Sequence, residues 1–181
     1  MTNYLVEPAP HIKSKITTQK VMLHVIIALF PSVIASTYIY GLRALLMVGI
    51  CSACCVLSEL VFEKITKRPR TINDLSAVVT GILLAFNLPP TLPFYMAVIG
   101  SVVAIVAVKQ LFGGIGQNFA NPAITARIVL MLSFSSYMTT WVKPFYYAMS
   151  ADAVSAATPL VSEETPELFD LFFAKSGCIG E

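Results

Sequence analysis

Three stretches put reactive side chains where a purely structural segment has no need of them. The first is Asp152-Ala153-Val154-Ser155-Ala156-Ala157-Thr158-Pro159-Leu160, with one acid and two hydroxyls upstream of a proline. A threonine preceded by two alanines is sterically open, so Thr158 suits attachment chemistry, although an ordinary loop has the same composition. The second is Gly113-Gly114-Ile115-Gly116-Gln117-Asn118, followed by Asn121-Pro122-Ala123 and, one turn later, Arg127. Gly114-Ile115-Gly116 has no third glycine at Phe119 and follows no strand, which argues against a dinucleotide cradle. Its plain role is to turn the backbone between helices, with Asn121 as a helix cap and Pro122 at the first helical position. Asn-Pro-Ala also occurs where paired half-helices meet in water channels, but that architecture needs two copies and one is present. The third group is scattered through apolar runs. Cys51, Cys54 and Cys55 stand at helical i, i+3, i+4 spacing, so two share a face, for metal or for packing. His24 suits a quinone or proton path, or an interfacial hydrogen bond. Glu59, one turn from Glu63, suits an interface carboxylate or an ion ligand. Arg127 must find water, an anion or a partner, which leaves structural pairing and a cofactor or ion-path contact both open.

The elements that must position these groups are membrane helices. Hydrophobic residues make up 56% of the 181 and charged ones 12%, against roughly a quarter charged in soluble domains, and the mean hydropathy is +0.76. Several apolar runs approach the roughly 20 residues that cross a bilayer, so the chain reads as an all-α polytopic membrane protein of about five transmembrane helices. A net charge of +2 with no basic block interleaved with aromatics excludes a nucleic-acid partner. The division expected is a cytoplasmic membrane-surface segment over 1–20, a transmembrane domain over 21–141 and an extracytoplasmic segment over 142–181.

The spans follow in order. Val21 to Tyr40 carries Pro31 mid-helix, where a kink is expected. After Gly41, Leu42 to Phe62 leads to Glu63-Lys64-Ile65-Thr66-Lys67-Arg68-Pro69-Arg70, a basic loop that favours the cytoplasm. Asn73 or Asp74 is the expected cap of a short third helix, Leu75 to Leu88, stopped by Pro89-Pro90. At 1.5 Å per residue it rises only about 21 Å, less than the hydrocarbon thickness. Leu92 to Phe112 is the fourth span, with Lys109 expected to snorkel to the interface. The fifth follows Asn121 and runs to about Trp141, which with Tyr146 and Tyr147 fits an interfacial aromatic belt. If all five cross, Lys13, Lys15, Lys20, Lys64, Lys67, Arg68, Arg70 and Lys109 lie inside, with Arg43, Lys143 and Lys175 outside. If the third is re-entrant, Thr158 moves inside and the tally stays inside-positive, so charge alone leaves both topologies open.

Asp152-x-x-Ser155-x-Ala157-Thr158 resembles the flavinylation motif of the RnfD/NqrB family, membrane subunits of ion-pumping Rnf and sodium-translocating NADH:quinone complexes. Pro10-His11-Ile12, the run from Met22 through Phe30-Pro31, Thr80 through Pro89, and Lys109 through Asn118 with Asn121-Pro122-Ala123 are similar to the family in the same order. The short N-terminus resembles the RnfD branch. The motif here departs by having Ala153 and Ala156 where glycine is common. The resemblance implies that Thr158 carries FMN through a phosphoester made by an extracytoplasmic flavin transferase, with Asp152 and Ser155 as motif positions. It further implies that the helices enclose a second, non-covalent riboflavin, with Asn118 and Asn121 as polar contacts. The implied activity is that of a non-autonomous subunit of an ion-translocating oxidoreductase, a translocase moving sodium or protons while electrons pass between reduced ferredoxin and NAD. Its partners are then the other subunits, the transferase and the bilayer. The family carries more helices than this chain, which therefore resembles its N-terminal half. A channel or carrier subunit without a redox cofactor is the rival class, suggested by the short third helix, Pro31, the Asn-Pro-Ala turn and Arg127.

Overall fold

A computed structural model describes residues 17–67, 72–142, 145, 155–156 and 177–180. Asp152 and Thr158, together with Tyr146, Tyr147, Arg68, Arg70 and the Pro10-His11-Ile12 stretch, lie outside the described residues.

Helix α1 spans Thr18–Tyr40 and starts earlier than the apolar run because Thr17 caps it, its side chain accepting from the Lys20 N–H at 3.4 Å. Pro31 sits inside this helix, and His24 Nδ1 donates to the Lys20 carbonyl one turn back. Gly41, at φ 77°, makes the turn into α2, Leu42–Thr66, which continues four residues past the apolar run and ends at Lys67 in the left-handed region. These two helices are long and apolar enough to cross a membrane. Side chains such as Ile27, Phe30 and Leu57 are well exposed on them, as lipid-facing positions require.

The third helix departs from expectation at its start. Asn73 and Asp74 do not cap it; they lie in a single 3-10 turn, Ile72–Asp74, and Leu75 follows at φ 58° with no side-chain cap. The reversal at Leu75 places the polar pair too early to reach the free N–H groups of α3, Ser76–Phe86. That helix and the turn after it run antiparallel to α2, from the level of Glu59 to that of Arg43. Ser76 is joined through Lys109 to Glu59, Gly81 packs on Ser52, and the carbonyls of Thr91 and Leu92 accept from Arg43 Nη2. Only 11 residues are helical; the Pro89-Pro90 turn covers the remaining distance, protected inside the protein as irregular backbone at membrane depth must be.

Helix α4, Phe94–Val102, continues without interruption as a π-helix through Val103–Gln110. The turn containing Gly113, Gly114 and Gly116, all at positive φ, returns the chain. Helix α5, Pro122–Ser133, ends well before Trp141. The fifth run is therefore not one helix: Phe134, at φ −134° and ψ 48°, breaks it, and a four-residue α6, Ser135–Met138, follows. Hydroxyls at Ser133, Ser135 and Ser136 suit such a break because serine competes for helical backbone groups. Beyond it β1, Trp141–Val142, pairs antiparallel with β2, Ser155–Ala156. The core is small-to-medium apolar packing of α2 to α5 around Met47, Cys51, Leu84, Met96, Ala126 and Leu130. The architecture is that of an all-α polytopic membrane protein with one two-residue strand pair.

Candidate functional site

The glycine turn and the start of α5 overhang a cavity of about 380 Å³ whose far wall is the first two turns of α3. Ser76, Thr80, Lys109, Asn118 and Asn121 supply its polar lining, while Met22, Val79, Leu83 and Ile115 supply apolar surface. Its size lies in the range of small-ligand sites. The glycines set its roof by conformation rather than by close approach. Gly114 and Gly116 stand at φ 98° and 85°, and a Cβ at either would meet nothing within 4 Å, so they turn the chain and do not cradle a phosphate.

Asn121 caps α5 as its sequence position suggests: Oδ1 accepts from the Ala123 N–H at 3.0 Å, with Pro122 at the first helical position. That leaves its NH2 group for a ligand, alongside the positive end of the α5 dipole. Asn118 differs. Its Oδ1 is shut off from solvent and has no hydrogen-bond partner among the described residues, an exception to the rule that buried polar atoms are paired. The two asparagines named from the sequence thus meet in one cavity, one satisfied and one not.

Arg127 is not brought to that cavity. Its guanidinium donates to Asn87 Oδ1 at 3.0 Å at the C-terminal end of α3, while Asn87 Nδ2 donates to the Leu83 carbonyl. It lines a second recess of about 240 Å³ with Asn87, Phe86, Cys178 and Gly180. The Cys178–Gly180 segment is tied there by Ile179 N–H to Leu88 O and Gly180 N–H to Phe86 O, at 3.1 and 3.0 Å. Of the two roles left open for Arg127, structural pairing is the one with an observed contact.

Lys109 departs from its expected placement. It does not snorkel: it is 2% exposed, and its ammonium donates to Glu59 Oε1 at 2.5 Å and to Ser76 Oγ at 2.7 Å. Glu59, fully buried, is likewise no interface carboxylate, and Gln110 Nε2 donates to the same oxygen at 2.7 Å. Neighbouring residues 109 and 110 reach one acceptor because the π-helix, with its i→i+5 bonds, turns less per residue than an α-helix. The signal that could have found this pair is an acid and a base near the ends of two spans that run in the same direction, since charges inside a membrane face the bundle and pair.

The cysteines pack. Cys51 and Cys55 are buried and free, Cys54 is partly exposed, and Ser101 Oγ donates to the Cys51 carbonyl. Among the described residues no three His, Cys, Asp or Glu side chains gather as a metal site would require. Ser155 is placed by its backbone, opposite Val142. The adjoining turn is tied to the end of α1 through the Phe145 N–H to Ile39 O bond, 2.9 Å, and by the Tyr38–Phe145 edge contact.

Residues 5–181 match the model of a family described as NQR2, RnfD, RnfE. The chain is 47% identical over 188 residues to the D subunit of the Na(+)-translocating ferredoxin:NAD(+) oxidoreductase complex of Acetobacterium woodii, a match covering 99% of this chain and 58% of that protein. It is 41% identical over 159 residues to the D subunit of the proton-translocating ferredoxin:NAD(+) oxidoreductase complex of Clostridium ljungdahlii, covering 87% of this chain and 47% of that one. The D subunit of an ion-translocating oxidoreductase complex of Psychromonas ingrahamii is 41% identical over 135 residues, covering 74% and 39%. The chain spans about half the length of the curated relatives it matches.

Proposed function

Because the chain belongs to the NQR2, RnfD, RnfE family, we propose that it is an electron-transfer subunit of an Rnf-type complex that couples ferredoxin:NAD oxidoreduction to the movement of sodium or protons. The observation that carries this reading is the 47% identity to the Acetobacterium woodii protein over 99% of the chain. On this reading it does not catalyse the net reaction alone; it works with the other subunits of a translocase.

Two flavins belong to the proposal. Thr158 carries FMN through a phosphoester installed by a flavin transferase that recognises Asp152 and Ser155, and riboflavin sits without a covalent bond in the cavity under the glycine turn. Flavin, when bound, supplies one-electron relay chemistry, and the protein fixes its distance and potential. The chain's own residues fit the second group. Val79, Leu83 and Ile115 offer apolar surface to a planar ring, and Asn121 offers its free amide hydrogens to a polar edge. The buried Asn118 oxygen awaits a donor. Arg127 holds the end of α3 through Asn87 rather than contacting this ligand.

The proposed layout has residues 1–20 on the cytoplasmic surface, 21–141 in the bilayer and 142–181 outside. Two contacts support it. Phe145 bonds the C-terminal end of α1, and Arg43 at the start of α2 bonds the carbonyls that follow α3. Both lie at the end of the bundle away from Lys20, Lys64 and Lys67. A cytoplasmic N-terminus then puts Thr158, two residues past β2, on the transferase side.

Expression with the transferase, denaturing electrophoresis and inspection for flavin fluorescence test the covalent part. A fluorescent band in the wild type that vanishes in Thr158→Val is expected. A band that survives the substitution contradicts attachment at this residue, and no band in the wild type returns the chain to the channel or carrier class.

A further inference from the structure

Helix α2 runs in the same direction as α4 and its π-helical continuation, and the two touch through Ser101 Oγ on the Cys51 carbonyl and Lys109 on Glu59. Beside that seam, on the outer face of the bundle, lies a groove of about 460 Å³. Leu57, Val61 and Ile65 form one bank, all well exposed, and Val98, Val102 and Val106 form the other. Each set recurs every fourth residue, so each bank is a stripe along its helix. Ser58 brings a hydroxyl to the groove, but its Oγ is spent on the Cys54 carbonyl at 2.7 Å. The groove therefore suits a hydrocarbon occupant.

Its length and its ends identify that occupant. On α2 the lining begins at Cys54, midway along Leu42–Thr66, and ends at Ile65, next to the last helical residue. The rise between them is about 16 Å at 1.5 Å per residue, close to half of the roughly 30 Å hydrocarbon core. A partner's transmembrane helix needs the whole thickness, whereas an acyl chain needs one leaflet. Cations stand at the end of the groove nearer the membrane surface. Lys64 lies one turn beyond Val61 and two beyond Leu57 on the same stripe, and Lys67 caps the helix. Both are exposed, and neither has an ion pair among the described residues.

We propose that this groove binds one anionic phospholipid, with an acyl chain between the two stripes and the headgroup phosphate held by Lys64 and Lys67. The phosphate oxygens accept hydrogen bonds and the ammonium groups only donate them, so the two match in charge and in sense. Lysine stems reach the headgroup level by lying along apolar surface, and basic recesses between transmembrane helices hold anionic headgroups in this way. The bound chain bridges α2 to α4 just outside the Glu59–Lys109 pair.

Native mass spectrometry of the full chain, titrated with phosphatidylglycerol and with phosphatidylcholine of the same acyl chains, tests the site. Phosphatidylcholine carries the same phosphate, but its choline cation offsets the charge. Phosphatidylglycerol is expected to bind about tenfold or more tightly than phosphatidylcholine, and Lys64→Gln with Lys67→Gln to remove most of that preference, roughly fivefold for each lysine. Val102→Trp fills the groove and leaves the cations in place, so it is expected to weaken both lipids alike. An unchanged preference in the lysine double variant overturns the headgroup contact, and undiminished binding in Val102→Trp overturns the groove as the seat of the chain. Displacement of the lipid by an equal concentration of glycerol 3-phosphate would mean a phosphate site without a lipid. No lipid retained by the wild type would leave the groove to a partner's helix; either result overturns the proposal. If Val102→Trp fails to fold, the lysine variant, changed only at exposed positions, still decides.

Discussion

Lys109 and Glu59 are the two residues whose placement most constrains the molecule. Both are buried in the bundle and share a contact of 2.5 Å, so each neutralises a charge that the interior could not hold alone. Breaking such a pair from one side costs about 3–5 kcal/mol, whereas replacing both partners by apolar groups is often neutral. Lys109→Met alone is therefore expected to lower the melting temperature in detergent sharply, and Glu59→Leu with Lys109→Met to recover most of the loss. An additive double variant would mean that the two do not act as a pair. The contact was hidden in the sequence because Lys109 stands at the end of an apolar run, where a lysine ordinarily reaches water. Its partner lies 50 residues back, and only the parallel packing of α4 and its π-helical continuation beside α2 brings the depths together. Asn121, by contrast, was legible: a cap and a proline at fixed spacing are local chemistry, and the cap forms as written.

Among the elements, α3 depends on how closely it approaches α2. A Cβ at Gly81 would lie 2.5 Å from Ser52 Cα and 2.8 Å from its nitrogen, backbone atoms that cannot rotate away. Small residues permit such approach between membrane helices. Gly81→Ala is expected to destabilise by about 1–3 kcal/mol through overpacking, measured by thermal melting, with Gly49→Ala as control because a Cβ there meets nothing within 4 Å. Equal effects at the two glycines would contradict the close approach. Helix ends show where sequence reading holds and where it fails. Gly41 and Pro89-Pro90 stop helices by backbone constraint, and both stops occur as expected. The break at Phe134 and the π-helix over Val103–Gln110 arise without glycine or proline. The break falls among serines, which compete for helical backbone groups, and the π-helix lets Lys109 and Gln110 share Glu59; neither is marked by the strong helix breakers.

For the whole molecule, the question is which end of the bundle faces out. Charge bias left the third segment free to cross or to return, but α3 and its proline turn travel from the level of Glu59 to that of Arg43, as a crossing segment does. The proposed topology then makes a definite labelling pattern. A cysteine at Ala153 is expected to react with a membrane-impermeant maleimide added outside intact cells, and one at Lys67 only after permeabilisation. The reverse pattern would invert the topology and remove the transferase from reach of Thr158. The family and the helical class were legible because the matching stretches and apolar runs are contiguous in sequence. The cavity was legible only as two asparagines, since Ser76, Thr80 and Lys109 join them by folding.

The central claim, that this chain carries flavin in two ways, is tested most directly by denaturing the purified protein and separating polypeptide from small molecules before chromatography of both fractions. FMN retained on the polypeptide and riboflavin released into the filtrate are expected, with only the retained FMN lost in Thr158→Val. A wild-type protein made with its transferase that yields flavin in neither fraction would contradict the account.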